Sequence, residues 1–351
     1  MKLDDLLDMG SLARMTSERY VNVQTHPKLP GYRIWNYSHK AQYDKCWNDV
    51  TLTCRGLITD DEDNVIARPF RKFFNIGEMT EIPSGHFTVQ EKMDGSLGIA
   101  WPHPDGYPAI ATRGSFTSEQ AQWATRWLNA DQARVEAVEK MISEGLTPLF
   151  EIIYPSNRIV LDYGDREDLT LLTTINLRTG LDLDMQIPWP GPVAPHYPGL
   201  DLETMQAMER DNAEGFVLCW GSGAVRAKVK HGEYVRLHRL LTGVNARTIW
   251  DLVANEQSLD DILTVVPDEF YQWVHSIVDE LWTGFRAVEA EALDAFAKVP
   301  MDVSRKEQAA LITQSTYPGI VFAMLDRKPY AKKIWAMLRP EASRPFKDDE
   351  A

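Results

Sequence analysis

A lysine stands two residues ahead of an Asp-Gly pair in Glu91-Lys92-Met93-Asp94-Gly95-Ser96, between two β-like stretches at 86–90 and 97–101. Such a turn can present an amine at the mouth of a pocket, with the glycine letting the backbone close on a phosphate. The same string also reads as an ordinary hairpin turn. The sharper reading gains weight from other residues in a fixed order: Arg55-Gly56, Arg71-Lys72-Phe73-Phe74-Asn75, Arg113-Gly114, Glu151, Glu214-Gly215 and Lys228-Val229-Lys230. Together they offer cations for a polyphosphate, carboxylates for a ribose or a divalent metal, and one amine placed as a nucleophile.

A lysine with an ordinary pKa of about 10.4 is protonated and inert at neutral pH. A closed groove holding further cations is expected to lower that value and free the lone pair. Attack on the α-phosphate of a nucleotide then forms a phosphoramidate, and pyrophosphate leaves. Lys228 and Lys230 alternate along one strand, so they point to the same side and can reach the phosphates together. Mg²⁺ is expected to stabilise the charge that develops there. Each element has a plainer reading: Glu151 and Glu214 as strand-edge carboxylates, Lys228 and Lys230 as a solvent face, Phe73 and Phe74 as core, Arg55 and Arg113 as surface arginines.

The elements that must position these groups are mostly short strands between residues 50 and 240. Stretches 51–59 and 65–70 flank the acidic turn 60–64 as a hairpin. Strand patterns continue at 86–101, 109–112, 147–154, 158–163, 169–177, 214–220 and 225–237, the last two joined across Gly221-Ser222-Gly223. Thr117, with Gln120 three residues on, predicts the start of a helix that Gly145 ends, with Trp123, Trp127 and Leu128 on its core face. A proline-rich loop covers 187–198 and a short helix 202–210. Beyond Leu241 the spacing turns helical: Phe270, Trp273, Val274, Ile277, Leu281, Phe285 and Val288, with further helices over 307–337.

The chain has 351 residues, enough for two domains, with the apolar and charged fractions of a globular protein. No apolar run approaches the roughly 20 residues that span a bilayer, and no signal-peptide pattern opens the chain. Cys46, Cys54 and Cys219 have no metal-ligand spacing and read as reduced thiols in a cytoplasmic protein. The formal net charge is −14, but it is uneven. Residues 224–250 carry Arg226, Lys228, Lys230, Arg236, Arg239 and Arg247 against the single acid Glu233, whereas acids cluster at 60–63 and in the 347–350 tail. Nucleic-acid binding needs a local basic surface and not a basic average.

EKMDGS, LFEIIYPSNRIV, EGFVL and AKVKHGEY, taken with the upstream stretch from Asn36-Tyr37 to Arg55-Gly56-Leu57-Ile58 and with Lys72-Phe73-Phe74-Asn75, resemble the ATP-dependent RNA ligase 1 family of bacteriophages. That family belongs to the covalent nucleotidyltransferases, and the resemblance covers roughly residues 30–240. It implies an α+β adenylation domain of two antiparallel sheets flanked by helices over 1–241; the all-helical domain over 242–351, read from its spacing, has no match in the resemblance and is expected to help select RNA. The resemblance also implies that Lys92 becomes the adenylylated nucleophile and that Arg55, Lys72, Lys228 and Lys230 contact the ATP phosphates. Gly95 and Phe74 would seat the nucleotide, Glu151 its ribose, and Glu214 a divalent cation, Mg²⁺ or Mn²⁺. Arg113 stands where well-known members carry lysine, which keeps the charge and changes the geometry. The implied reaction joins 5′-phosphate and 3′-hydroxyl RNA ends, in RNA or tRNA repair, by a monomeric protein in a host cytoplasm. Rival readings are a DNA ligase or mRNA-capping guanylyltransferase using the same lysine chemistry, or a non-catalytic RNA-binding relative.

Overall fold

Runs of β-branched and aromatic residues between Gly, Pro, Asp and Asn punctuation form short strands. In the computed structural model, which describes all residues except 184–187, 233, 236–243, 261–262, 264–270 and 341–351 and the side chains of 271–272, these are β1 Val21–Thr25, β2 Arg33–Tyr37, β3 Arg55–Thr59, β4 Val65–Ala67, β5 Phe74–Asn75, β6 Phe87–Glu91, β7 Ser96–Pro102, β8 Pro108–Thr112, β9 Leu146–Ile153, β10 Asp168–Asn176, β11 Gly215–Trp220 and β12 Val225–Lys230. They fall into three four-stranded sheets, ordered β1-β2-β3-β4, β10-β9-β7-β8 and β5-β12-β11-β6. All pairings are antiparallel except β12 with β5. The α+β class is as expected, with one sheet more than anticipated. The five-residue strands β1 and β2 give too little alternation to be read from sequence, and they extend the β3–β4 hairpin into a sheet of its own.

Two chain segments differ from the sequence expectation for capping reasons. Residues 51–59 are not one strand: Asn48 Oδ1 accepts from the Thr51 amide at 3.0 Å while Thr51 Oγ1 accepts from the Asn48 amide at 2.9 Å. That reciprocal cap winds Asp49–Thr53 into a helix, and the strand begins at Arg55. Residues 117–145 hold two helices, Glu119–Asn129 capped by Ser118 and Gln132–Ser143 capped by Asp131, which accepts from the Ala133 and Arg134 amides. The third departure, at 158–163, belongs to the site below. Of the other expectations, Arg236, Arg239, Phe270 and the acidic tail lie outside the described residues.

Period-2 alternation sorts each strand between two environments. On β9, Leu146, Phe150 and Ile152 pack with Leu128 and Val138 of the two helices, with Trp123 and Trp127 against them. Leu149 points the other way, into a core with Ile34, Ile58, Ile99 and Trp101. Glu151 shares that second face. On β12, Ala227 and Val229 enter a core with Phe216, Leu218 and Met205, which leaves Arg226, Lys228 and Lys230 on the opposite face.

The chain divides into two compact units, Met1–His238 and Arg239–Ala351. The second is helical throughout its described residues: Ala246–Ala254, Tyr271–Ala297, Arg305–Ile312, Pro318–Leu325 and Ala331–Met337. Val274, Val278, Leu281, Phe285, Val288 and Ala292 line the buried stripe of the long helix at the anticipated spacing. Among the described residues, no helix is long and apolar enough to cross a membrane.

Phe150 is fully buried where β9 meets both helices. Phe150→Ala is expected to lower unfolding stability by about 3–5 kcal/mol, the cost of a buried aromatic and its cavity. Chemical denaturation measures it, and a loss below about 1 kcal/mol would contradict this packing.

Candidate active site

Lys92 follows directly on β6, and its amide donates to the Gly215 carbonyl at 2.9 Å. This bond carries the turn across to the start of β11, where Glu214 immediately precedes the strand. Lys92 Nζ lies 2.7 Å from Glu214 Oε1, and Lys230 Nζ lies 3.1 Å from the same oxygen. Gly215 pairs with Lys230 and Val217 with Lys228, which aligns the two β12 lysines with the end of β11. From the neighbouring sheet, Glu151 approaches over Gly95. A Cβ built on Gly95 would meet the Ile152 carbonyl oxygen at 2.6 Å and Glu151 Cγ at 3.1 Å, so only glycine lets the lysine turn pass this close to β9. Lys92, Glu151, Glu214, Lys228 and Lys230, far apart in sequence, therefore form one cluster.

Burial opposes the charge on Lys92, yet the nearby Glu214 and Glu151 carboxylates and the bond to Glu214 outweigh it, holding the amine above the usual lysine range. Lys228 acts in the opposite direction and is outweighed. The expected depression of Lys92 by surrounding cations is thus reversed, because the carboxylates dominate over the second lysine. Burial likewise opposes charge on Glu214, but Lys92 and Lys230 keep it ionised, below the usual glutamate range. Glu151 differs: burial, reinforced by Glu214 and Asp94, pushes it up to about 8 against the pull of Lys92 and Arg55. Among the described residues, no group of three or more His, Cys, Asp and Glu could hold a metal ion by itself.

A second group of expected residues lies around Arg55, Lys72 and Arg113. Gly56 adopts φ +92°, and a Cβ there would lie 2.5 Å from Ile99 Cδ1 and 3.2 Å from Arg113 Cα, so β3 passes tightly against the turn that carries Arg113. The Arg55 guanidinium rests 4.8 Å from the Phe70 ring centre and contributes to the field at Glu151. Arg113 Nη1 donates to the Tyr37 hydroxyl at 2.8 Å. Lys72 is buried, and its ammonium faces the rings of Tyr37, Trp47 and Phe74 at 5.7, 5.6 and 5.4 Å. Phe74 opens β5, which pairs in parallel with Ala227 and Lys228 and so joins this group to the cluster through the backbone. Phe73 packs in the core, and Arg71 pairs with Asp49 on the surface.

Asp94, read from sequence only as a turn residue, is a buried anchor. Its Oδ2 accepts from the Val160 and Leu161 amides at 2.9 and 2.8 Å, and its Oδ1 accepts from the Tyr234 hydroxyl at 2.8 Å. The Asp94 amide in turn donates to the Tyr163 hydroxyl at 2.9 Å. These bonds explain why 158–163 is a loop and not the expected strand: its amides are spent on a carboxylate instead of a neighbouring strand. Tyr37, Trp47, Tyr163 and Tyr234 were likewise given no role by sequence reasoning. Their partners lie up to 140 residues away, and no local pattern marks them.

Residues 53–185 match the family model described as RNA ligase, of the T4 RNA ligase 1 type. A putative RNA ligase of Thermovibrio ammonificans is 32% identical over 124 residues, 33% of this chain and 31% of that protein. RNA ligase 1 of bacteriophage TS2126 is 26% identical over 230 residues, 60% of this chain and 57% of that protein. The chain thus spans between about a third and just over half the length of these curated relatives. Among solved structures, an archaeal ATP-dependent RNA ligase aligns over 90% of this chain and 77% of its own, at 16% identity and a TM-score of 0.47. A mutant of the Naegleria gruberi RNA ligase with ATP and Mn aligns over 44% of this chain and 51% of its own, at 18% identity and a TM-score of 0.36. Over residues 53–185 the chain is thus similar to RNA ligases of the T4 RNA ligase 1 type.

Glu214→Gln removes the strongest attraction that raises the Lys92 pKa and leaves burial, which lowers it. Modification of Lys92 by a neutral amine-selective reagent, followed by peptide mass spectrometry across pH, should then titrate at lower pH than in the wild type. An unchanged midpoint would show that Glu214 does not hold the ammonium.

Proposed function

We propose that the protein is an ATP-dependent RNA ligase that joins 5′-phosphate and 3′-hydroxyl ends through a lysyl-AMP intermediate. The observation that carries this reading is the buried Lys92–Glu214 pair at 2.7 Å, with Glu151, Lys228 and Lys230 gathered around it. An amine held between carboxylates beside a row of cations suits attack on a phosphate better than it suits a structural ion pair.

In the first step the neutral Lys92 amine attacks the α-phosphorus of ATP. A P–N bond forms, the α–β P–O bond breaks, pyrophosphate departs, and the amine sheds its proton. Lys228 and Lys230 meet the charge that builds on the α-phosphate, while Arg55 and Lys72, with Arg113 beside them, take the rest of the tail. Glu151, whose carboxyl burial pushes up to about 8, can donate to a ribose oxygen when protonated and accept from a hydroxyl when ionised. Phe74 and the bare Gly95 backbone leave room for the nucleoside. In the second step an oxygen of the RNA 5′-phosphate attacks the lysyl phosphoramidate, the P–N bond breaks, and Lys92 regains a proton. In the third, a 3′-hydroxyl attacks the 5′-phosphorus of the adenylylated RNA and displaces AMP.

The donor set fits a divalent cation held by Glu214 together with phosphate oxygens, since the described residues offer single carboxylates and no cage of their own. Mg²⁺ or Mn²⁺ there supplies charge neutralisation at the phosphates. When Glu214 turns from Lys92, burial favours the neutral amine that the first step requires. The proposed division of labour places all of this chemistry within 1–241 and RNA selection in 242–351. A part in RNA or tRNA repair, in a host cytoplasm, fits the relatives that the chain resembles.

Incubation with α-labelled ATP and Mg²⁺, then a denaturing gel, should show a labelled protein that Lys92→Ala and Lys92→Arg both lose, because a guanidinium stays protonated. Lys228→Ala or Lys230→Ala should lower the single-turnover labelling rate on the order of a hundredfold, and Lys230→Ala, which breaks a buried pair with Glu214, should lower thermal stability as well, so labelling is compared below the unfolding range of each variant. Labelling that persists in Lys92→Ala contradicts the reading.

A chain ending near Thr242 is expected to keep the labelling reaction and, relative to the full chain, to lose more in sealing a broken stem-loop than in sealing short unstructured RNA, provided that it folds. A folded truncation that seals both as the full chain does would remove the second unit from RNA selection.

A further inference from the structure

We propose that Trp47 is a positioning residue for Lys72: with Tyr37 and Phe74 it forms an aromatic enclosure that aims the Lys72 ammonium at the phosphate tail of ATP. This inference rests on the ligase reading above and extends it to a residue that the upstream stretch 36–58 contains but to which the sequence gives no role. Trp47 lies outside the lysine turn and outside every charged string that the sequence brings forward.

Three rings surround one ammonium at nearly equal distance, with centres 5.7 Å (Tyr37), 5.6 Å (Trp47) and 5.4 Å (Phe74) from Lys72 Nζ. Each is within the range where an aromatic face attracts a cation. Trp47 braces the other two, meeting Tyr37 edge-on at 5.3 Å and 84° and Phe74 at 5.3 Å and 72°. Removing it therefore loosens the whole enclosure, whereas Tyr37 has a second support through its hydroxyl and Arg113. The lysine stem is fixed independently, because the Lys72 amide donates to the Leu52 carbonyl at 2.8 Å. Trp47 directly precedes Asn48, the cap of that same Asp49–Thr53 helix, so one short helix sets both the stem and the bracing ring.

The physical role follows from what a ring face can do. It attracts an ammonium and leaves its charge in place. The side chain also sits in one place before the nucleotide arrives, so less rotamer freedom is lost on binding. Two residues after Lys72, β5 pairs with Ala227 and Lys228, which directs the enclosure toward the strand that carries the α-phosphate lysines. Trp47 thus acts chiefly on the ATP-dependent step. The sealing of RNA that is already adenylylated uses no triphosphate and depends on Trp47 only through Phe74, which it braces.

The test compares wild type, Trp47→Phe and Trp47→Leu in the full-length protein. It measures steady-state adenylylation against ATP concentration, sealing of pre-adenylylated RNA without ATP, and thermal unfolding. The KM for ATP should rise in the order wild type, Trp47→Phe, Trp47→Leu, reaching roughly fivefold in the leucine variant, with kcat changed less than about twofold. Sealing of pre-adenylylated RNA should fall less than adenylylation at low ATP in both variants. A leucine variant with a wild-type KM overturns the proposal. So does one that loses as much in sealing pre-adenylylated RNA as in adenylylation, since the residue is then merely structural. If Trp47→Leu does not fold, a KM in Trp47→Phe at or below the wild-type value overturns it equally. A wild-type protein that forms no Lys92–AMP adduct overturns the ligase reading and this inference together, whereas normal wild-type labelling with an unaltered Trp47→Leu overturns this inference alone.

Discussion

The constraint on which the rest depends is the burial of opposite charges around one oxygen of Glu214. Lys92, from the turn after β6 and with 22% of its side chain exposed, and Lys230 of β12 reach it at 2.7 and 3.1 Å, while Glu214 itself is buried. Glu214 could not be held there alone at acceptable cost, because an isolated buried carboxylate would take up a proton or open the fold. The carboxylate keeps Lys92 charged, so the free protein rests in a state that does not react. A second carboxylate, Glu151, is left short of cations, and burial drives it toward its neutral form. Under the proposed ligase reading, this cluster would receive a metal-bound nucleotide, which brings both positive charge and phosphate oxygens.

That arrangement needs close approaches that few residues permit. Gly95 lets the lysine turn run over β9, and Gly56 lets β3 run against the turn of Arg113. Asp94 ties the lysine turn to the 158–163 loop and to Tyr234, so the nucleophile, one wall of the site and the segment after β12 share a single buried anchor. Loss of that carboxylate would leave two amides and a hydroxyl buried without an acceptor, a cost of about 1–3 kcal/mol each. The anchor is local to the first unit and holds whatever the second unit does.

Much of the cluster was legible in the sequence because its logic is local. Lys228 and Lys230 alternate on a strand whose other face is Ala227 and Val229, and that pattern alone sets their side. Lys92, Glu151 and Glu214 could be picked out because each sits at the end of an apolar run. The sign of the Lys92 shift was not legible, since it depends on whether a carboxylate or a lysine lies closer in space. Caps at Asn48, Ser118 and Asp131 redrew element boundaries through side-chain bonds that compete with strand propensity. The loop at 158–163 looked like a strand because Ile159, Val160 and Leu161 have strand character, and only the distant Asp94 shows where their amides go. Aromatic neighbours such as Tyr37, Trp47 and Phe74 meet through tertiary packing that no spacing reveals.

The most direct measurement of the central claim is an NMR titration of Lys92 in the free wild-type protein, with ¹³Cε-labelled lysine and assignment by loss of the signal in Lys92→Arg. If the Glu214 and Glu151 carboxylates hold the ammonium as the geometry implies, its resonance keeps the charged position up to at least the ordinary lysine midpoint of about 10.4, after most exposed lysines have begun to move. A resonance that titrates well below that midpoint would mean that Lys92 is already primed in the free protein, and the account of a carboxylate-restrained nucleophile would be wrong.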